Sequence, residues 1–245
     1  MMTRILLAVL AFTALNTISA TGSRAMSVSP MHIEMTSVGK SGRSQFTVTN
    51  SGATPMPVET AIKRLEIDEN GASHETIAND DFLIFPAQVM IAPGASQVFR
   101  VQWVGEPNLA KSQSYLVAVN QIPLKQARSQ STVQVVMAFG VVIDVAPPVG
   151  RPVLKLVRTG TAIDKHGKRH ATVTIENSSN VHGLLEAASL RFTSGAWSRT
   201  YLPGELAQGI GIGIIQPGRR RTFTMPDVLP DAAGALQAKL DYPLR

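Results

Sequence analysis

Short apolar runs, each closed by a turn signal, make up most of this chain. About seven such runs follow one another between positions 28 and 145, beginning with residues 28–36, and residues 44–49 end at the turn Asn50-Ser51-Gly52. Their β-branched and aromatic residues favour strands over helices. Short strands at regular spacing are typical of an immunoglobulin-type sandwich. The sequence therefore predicts an all-β fold.

Residues 146–152 interrupt this pattern with three prolines and one glycine. Proline cannot donate a hydrogen bond to a neighbouring strand, so this segment cannot run through a sheet. The pattern then starts again: residues 171–177 end in an asparagine as residues 46–50 do, and a Pro-Gly turn begins at both Pro93 and Pro217. We predict two immunoglobulin-like β-sandwich domains joined by a short Pro-rich elbow, over residues 26–147 and 152–245.

The first residues are typical of a secretory signal peptide, which we place at residues 1–25. Arg4 precedes an uncharged, mostly apolar run at residues 5–15, too short for the ~20 residues of a bilayer span. Cleavage fits after Ala25 or after Ala20; the alternative is an uncleaved N-terminal anchor. The longest later apolar run, residues 135–143, has the length of a strand. We therefore expect an exported mature chain without an integral membrane segment.

The net charge of +6 raises the question of a nucleic-acid partner. Removal of Arg4 and Arg24 with the signal peptide lowers this charge by two. The remaining basic residues are scattered, and aromatic residues make up only 5% of the chain. A nucleic-acid surface would need clustered cations with aromatic residues between them, so we predict no nucleic-acid partner.

Residue patterns that would indicate catalysis or metal binding are missing from the sequence. The chain has no cysteine, which excludes disulfides, thiolate metal sites and a cysteine nucleophile. His166 and His170 are four apart, but Asp164-Lys165-His166-Gly167-Lys168 is typical of a hairpin tip. The glycines of residues 209–213 depart from the GxGxxG spacing, which favours a glycine-rich strand edge or loop. We predict no catalytic residues, no metal site and no cofactor, and hence no enzyme.

Residues 131–145 suggest a binding role instead. Val133, Val135 and Met137 alternate with polar or smaller residues after a polar loop at residues 125–131. At a sheet edge, such a strand could pair with a partner by backbone hydrogen bonds while its alternate side chains fill pockets. The alternative is an ordinary interior strand of a sandwich, which is the interpretation that the pattern alone favours.

Several segments together resemble the PapD-like periplasmic pilus-assembly chaperones of chaperone–usher systems. They are residues 85–94 (FPAQVMIAPG), residues 97–101, residues 115–123 (YLVAVNQIP) and the long strand and elbow at residues 132–147. The resemblance implies two immunoglobulin-like domains, a periplasmic location, and binding of pilin-like secreted subunits that lack a final strand. It also implies delivery to an outer-membrane usher. By position, Val133, Val135 and Met137 match the residues that the family inserts into the subunit.

The chain departs from this family at the cations that usually hold the carboxylate of the subunit. Ungapped counting puts the family's arginine at Glu34 and its lysine at Val142. Neither residue offers a positively charged donor, so the resemblance identifies a divergent member whose anchor is unknown. The other interpretation of the sequence is an exported structural or adhesive β-sandwich protein, which would be a fibre subunit or a surface module.

Overall fold

The computed structural model describes residues 26–78, 80–123, 136–230 and 234–243. The predicted signal peptide lies outside these residues. Strands dominate the described part of the chain, and no helix there is long and apolar enough to cross a membrane. The all-β prediction is confirmed.

Two sheets form the first half of the molecule. Their strands are β1 (Ser27–Ser29), β2 (His32–Thr36), β3 (Arg43–Thr49), β4 (Met56–Ile67), β5 (Ser73–Ile77), β6 (Phe82–Phe85), β7 (Gln88–Ile91), β8 (Ser96–Trp103), β9 (Gln113–Gln121) and β10 (Ala138–Ala146). One sheet has the order β1-β3-β8-β6. The other has the order β2-β10-β9-β4-β5, and β7 also pairs with β4. The pair β2–β10 is parallel, while the other pairs within these two sheets are antiparallel.

Alternate side chains of the two sheets meet in an apolar core. Phe46 of β3 and Phe99 of β8 are fully buried, and their rings stack with centroids 5.1 Å apart. Phe82, Trp103 and Tyr115 form a second aromatic group with edge-to-face contacts. Exposed and buried residues alternate along β8, as expected for a strand that covers one face of a sandwich.

Residues 28–36 do not form the single strand that the sequence predicts. They form β1 and β2, which belong to opposite sheets of the sandwich. Pro30 lies between them and has no amide hydrogen with which to continue the pairing. The chain therefore changes sheets here, and β2 is free to pair in parallel with β10.

A second sandwich follows the proline-rich segment. Its strands are β11 (Leu154–Ile163), β12 (Arg169–Asn177), β13 (Gly183–Leu184), β14 (Ser189–Ser194), β15 (Trp197–Tyr201), β16 (Ile214–Ile215), β17 (Arg220–Val228) and β18 (Gln237–Asp241). They pair as β11-β12-β17, β13-β16 and β15-β14-β18. Buried apolar residues from the stretch between Ala171 and Leu229 form a separate core. The prediction of two sandwiches joined by a short elbow is confirmed, and the stated domain bounds stay a prediction.

The glycine-rich residues 209–213 do not form a strand edge, and they agree better with the loop that the sequence offers as the other alternative. They contain the end of a short helix, α1 (Glu205–Ile210), and the turn that leads into β16. Gly211 and Gly213 have φ angles of 69° and 63°, which other residues rarely adopt. These glycines therefore allow the chain to turn between α1 and β16.

A buried asparagine closes the equivalent strand of each sandwich. The Asn50 side-chain amide donates to the carbonyls of Ile91 and Ala92, just before one Pro-Gly turn. The Asn177 side-chain amide donates to the carbonyl of Ile215, just before the other. Buried carbonyls need such hydrogen-bond partners. The repeated asparagine and Pro-Gly motif in the sequence therefore reflects the same stabilising hydrogen bond in both sandwiches.

Candidate functional site: the β10 edge and the domain junction

Strand β10 has a free edge along its first half, as far as the described residues are concerned. It pairs with β9 from Ala138 to Val145, but its pairing with β2 begins only at Val142. Within the described part of the chain, residues 138–141 therefore have a neighbouring strand on one side only. We call residues 137–141 the β10 edge. Unpaired amide and carbonyl groups of this kind can accept a strand from another chain.

Side chains on the β10 edge alternate between two environments. Met137 and Phe139 are half-buried and pack against the core of the first sandwich, and Val141 is fully buried. Val136 and Ala138 are exposed and lie on the other face. Met137, Phe139 and Val141 thus form an apolar row on one face of the strand, and this row becomes less buried towards Met137.

Met137 is held in register with the end of β9. Its carbonyl accepts the amide hydrogen of Gln121 at 2.9 Å, and its own amide donates to the Gln121 side chain at 3.4 Å. Val133 and Val135, the other two predicted binding residues, lie outside the described residues. Phe139 lies two positions after Met137 and continues the alternation, but it was not predicted from the sequence. Residues 137–143 are apolar on both faces, which hides the alternation.

The two predicted anchor positions lie on neighbouring strands. Glu34 is on β2 and Val142 is on β10, where Val142 pairs with His32. Neither Glu34 nor Val142 carries a positive charge. Three cations line a cleft of about 320 Å³ at the junction between the sandwiches, together with Gln216; they are Arg64, Lys111 and Arg219.

A polar cluster occupies the same end of the sheet. Across the strands, Leu65 pairs with Ser114, Ser114 with Asp144, and Asp144 with Glu34. Asp144 is completely buried, and its two carboxylate oxygens have different partners. Ser114 Oγ donates to Asp144 Oδ1 at 2.5 Å, and His32 Nε2 lies 3.0 Å from Asp144 Oδ2.

The second sandwich completes this cluster with His182. His182 Nε2 lies 3.0 Å from Glu34 Oε1, while the His182 backbone amide donates to Ser112 Oγ. Burial acts to lower the pKa of His32, but the hydrogen bond and charge of Asp144 outweigh it and the pKa is raised. The pKa of His182 is raised against its burial in the same way, with Glu34 as the hydrogen-bond partner. Each histidine is therefore paired with one carboxylate: His32 with Asp144, and His182 with Glu34.

Gln216 also fastens the two sandwiches together. Its side-chain amide donates to the Leu65 carbonyl at 2.8 Å, and its side-chain oxygen accepts the amide hydrogen of Ile67 at 2.9 Å. Both partners are backbone groups of β4, in the other sandwich. The amide group of Gln216 therefore pairs with β4 as a very short strand would.

Gln216→Ala is expected to lower the free energy of unfolding by about 1–3 kcal/mol, because it leaves two backbone groups without a partner. Urea denaturation followed by tryptophan fluorescence measures this loss. Gln208→Ala is the matched control, because Gln208 is exposed on α1. Equal stability of the two variants would contradict the role of Gln216 at the junction.

Residues 25–146 match the family model described as "Pili and flagellar-assembly chaperone, PapD N-terminal domain". No curated protein matches the sequence.

Solved structures of fimbrial chaperones are similar in fold. A chain in the complex of the Salmonella enterica SafA pilin with the SafB chaperone is 13% identical, with a TM-score of 0.55, and 89% of this chain and 96% of that chain are covered. The class 5 fimbriae chaperone CfaA is 13% identical, with a TM-score of 0.53 and coverage of 89% and 100%. The E. coli chaperone DraB is 15% identical, with a TM-score of 0.51 and coverage of 82% and 84%. At these identities, the likeness shows a shared fold.

Proposed function

The chain belongs, through its N-terminal domain, to the PapD-like family of pilus-assembly chaperones, and on that premise we propose that it is a periplasmic chaperone for pilin-like secreted subunits. It binds each subunit by donating an edge strand, and it delivers the subunit to an outer-membrane usher. One observation carries this proposal: among the residues that the structure describes, the first half of β10 has a pairing partner on one side only.

The donated strand would extend the β10 edge towards the N-terminus. Met137 and Phe139 lie on one face of β10, and Val133 and Val135 share their spacing of two. A subunit that lacks one strand exposes an apolar groove and unpaired backbone groups, both of which favour aggregation. Backbone pairing with the β10 edge would satisfy the subunit's polar groups, and Val133, Val135 and the exposed part of Met137 would fill its groove.

Co-expression tests the proposal directly. The mature chain and a pilin-like subunit encoded beside its gene should purify together as a complex of one copy each, and the subunit alone should aggregate. The other interpretation, a structural or adhesive fibre protein, predicts that the chain polymerises by itself. Gel filtration with light scattering separates the two. A chain that forms polymers, or that leaves the subunit aggregated, would overturn the chaperone function.

A further inference from the structure

We propose that His32, Glu34 and Asp144 form a binding site for a divalent transition-metal ion such as Zn²⁺. One donor atom from each of these three side chains lies within 4.8 Å of the other two. The residues come from β2 and β10, next to the second sandwich. This site is separate from the β10 edge and does not depend on the proposed function.

The spacing of the donor atoms suits a small metal ion. His32 Nε2 lies 3.0 Å from Asp144 Oδ2 and 3.4 Å from Glu34 Oε1. Bonds of about 2.0–2.2 Å, which Zn²⁺ makes to histidine and carboxylate, place tetrahedral ligands roughly 3.3–3.6 Å apart. Small side-chain movements would therefore complete the site.

Neighbouring groups already orient the ligands. Ser114 Oγ bonds Asp144 Oδ1 and leaves Oδ2 directed at His32. His182 bonds Glu34 Oε1 from the second sandwich. Such outer partners fix the geometry of ligands and raise metal affinity. His182 would act as a positioning residue, because it touches a ligand.

The charge balance of the cluster also favours a cation. Asp144 is completely buried, and Glu34 lies close enough to repel it when both are ionised. The ion pairs that the structure gives for Asp144 and Glu34 are with the histidines His32 and His182. A divalent ion would neutralise both carboxylates, and the half-exposed side chain of Glu34 leaves a path from solvent. A histidine ligand favours Zn²⁺ and related ions over Ca²⁺ and Mg²⁺.

A bound ion would tie the two sandwiches together at their junction. It would link β2 directly to β10, and through the bond from His182 to Glu34 it would stiffen the contact with the second sandwich. Metal binding should therefore raise the thermal stability of the protein as well as fill the site.

Titration of the untagged, chelator-treated mature chain tests this proposal. Isothermal calorimetry with ZnCl₂, and Co²⁺ absorption as a probe of coordination, should show one ion per chain and a raised melting temperature. His32→Ala and Glu34→Gln should each weaken binding at least 100-fold. His166→Ala is the matched control, because His166 lies in an exposed turn, and its affinity should equal that of the unchanged protein.

Two results would overturn the metal site. One is a native chain that binds no stoichiometric Zn²⁺ or Co²⁺. The other is a site whose affinity survives Glu34→Gln or is lost in His166→Ala. Circular dichroism checks that each variant is folded. If His32→Ala fails to fold, Glu34→Gln decides alone, because the Glu34 side chain is 55% exposed and is expected to tolerate the change.

Discussion

Met137→Asp is expected to abolish the complex with a pilin-like subunit. In our account Met137 enters an apolar groove of the subunit, where an unpaired carboxylate would be stripped of water at a cost of several kcal/mol. An affinity loss of more than about 100-fold follows, since each 1.4 kcal/mol corresponds to a factor of ten. Val135→Asp should have the same effect. Co-purification followed by gel filtration measures the loss.

The matched control for this experiment is Val136→Asp. Val136 is 48% exposed and neighbours Met137 in the chain, but it lies on the other face of the strand. It should leave the complex intact, because a charge there stays in water. Melting curves of the free variants check that Met137→Asp has not unfolded the first sandwich. A complex that survives both Met137→Asp and Val135→Asp would contradict strand donation.

Phe99→Ala is expected to give the largest loss of stability in the first sandwich, about 3–5 kcal/mol. Phe99 is fully buried, and its ring stacks on that of Phe46, its partner on the neighbouring strand β3 of the same sheet. Removal of the ring leaves a cavity that the paired strands cannot close by moving. Urea denaturation followed by circular dichroism measures the change.

The neighbouring residue supplies the control for Phe99. Val98→Ala changes a side chain that is 39% exposed on the other face of β8, so it should cost far less than Phe99→Ala. A loss below about 1 kcal/mol for Phe99→Ala would contradict a tightly packed core around the stacked phenylalanines.

Local signals in the sequence were enough to predict the all-β class and the two-sandwich architecture. Turn residues such as Pro93 and Pro217 act within a few positions, and alternation along a strand directly reflects burial on one face. The exchange of sheets at Pro30 was not predictable in this way. It depends on the pairing of β2 with β10, more than 100 positions later in the chain.

The polar cluster at the junction escaped the sequence analysis for the same reason. His32 and Asp144 are 112 positions apart, and His182 and Glu34 are 148 apart. No short motif joins such residues, so the prediction of no metal site rested on local spacing alone. The alternation of Val133, Val135 and Met137 was visible in the sequence because it spans only five positions, and their binding role stays a prediction.

Hydrogen exchange at the β10 edge tests strand donation most directly. Amide exchange of residues 133–141 is measured by mass spectrometry in the free chain and in its complex with a pilin-like subunit. Our account predicts that exchange in this segment slows at least tenfold on binding, while exchange in β6, an edge strand of the other sheet, stays unchanged. Unchanged exchange at residues 133–141, with protection appearing at β6 instead, would contradict it.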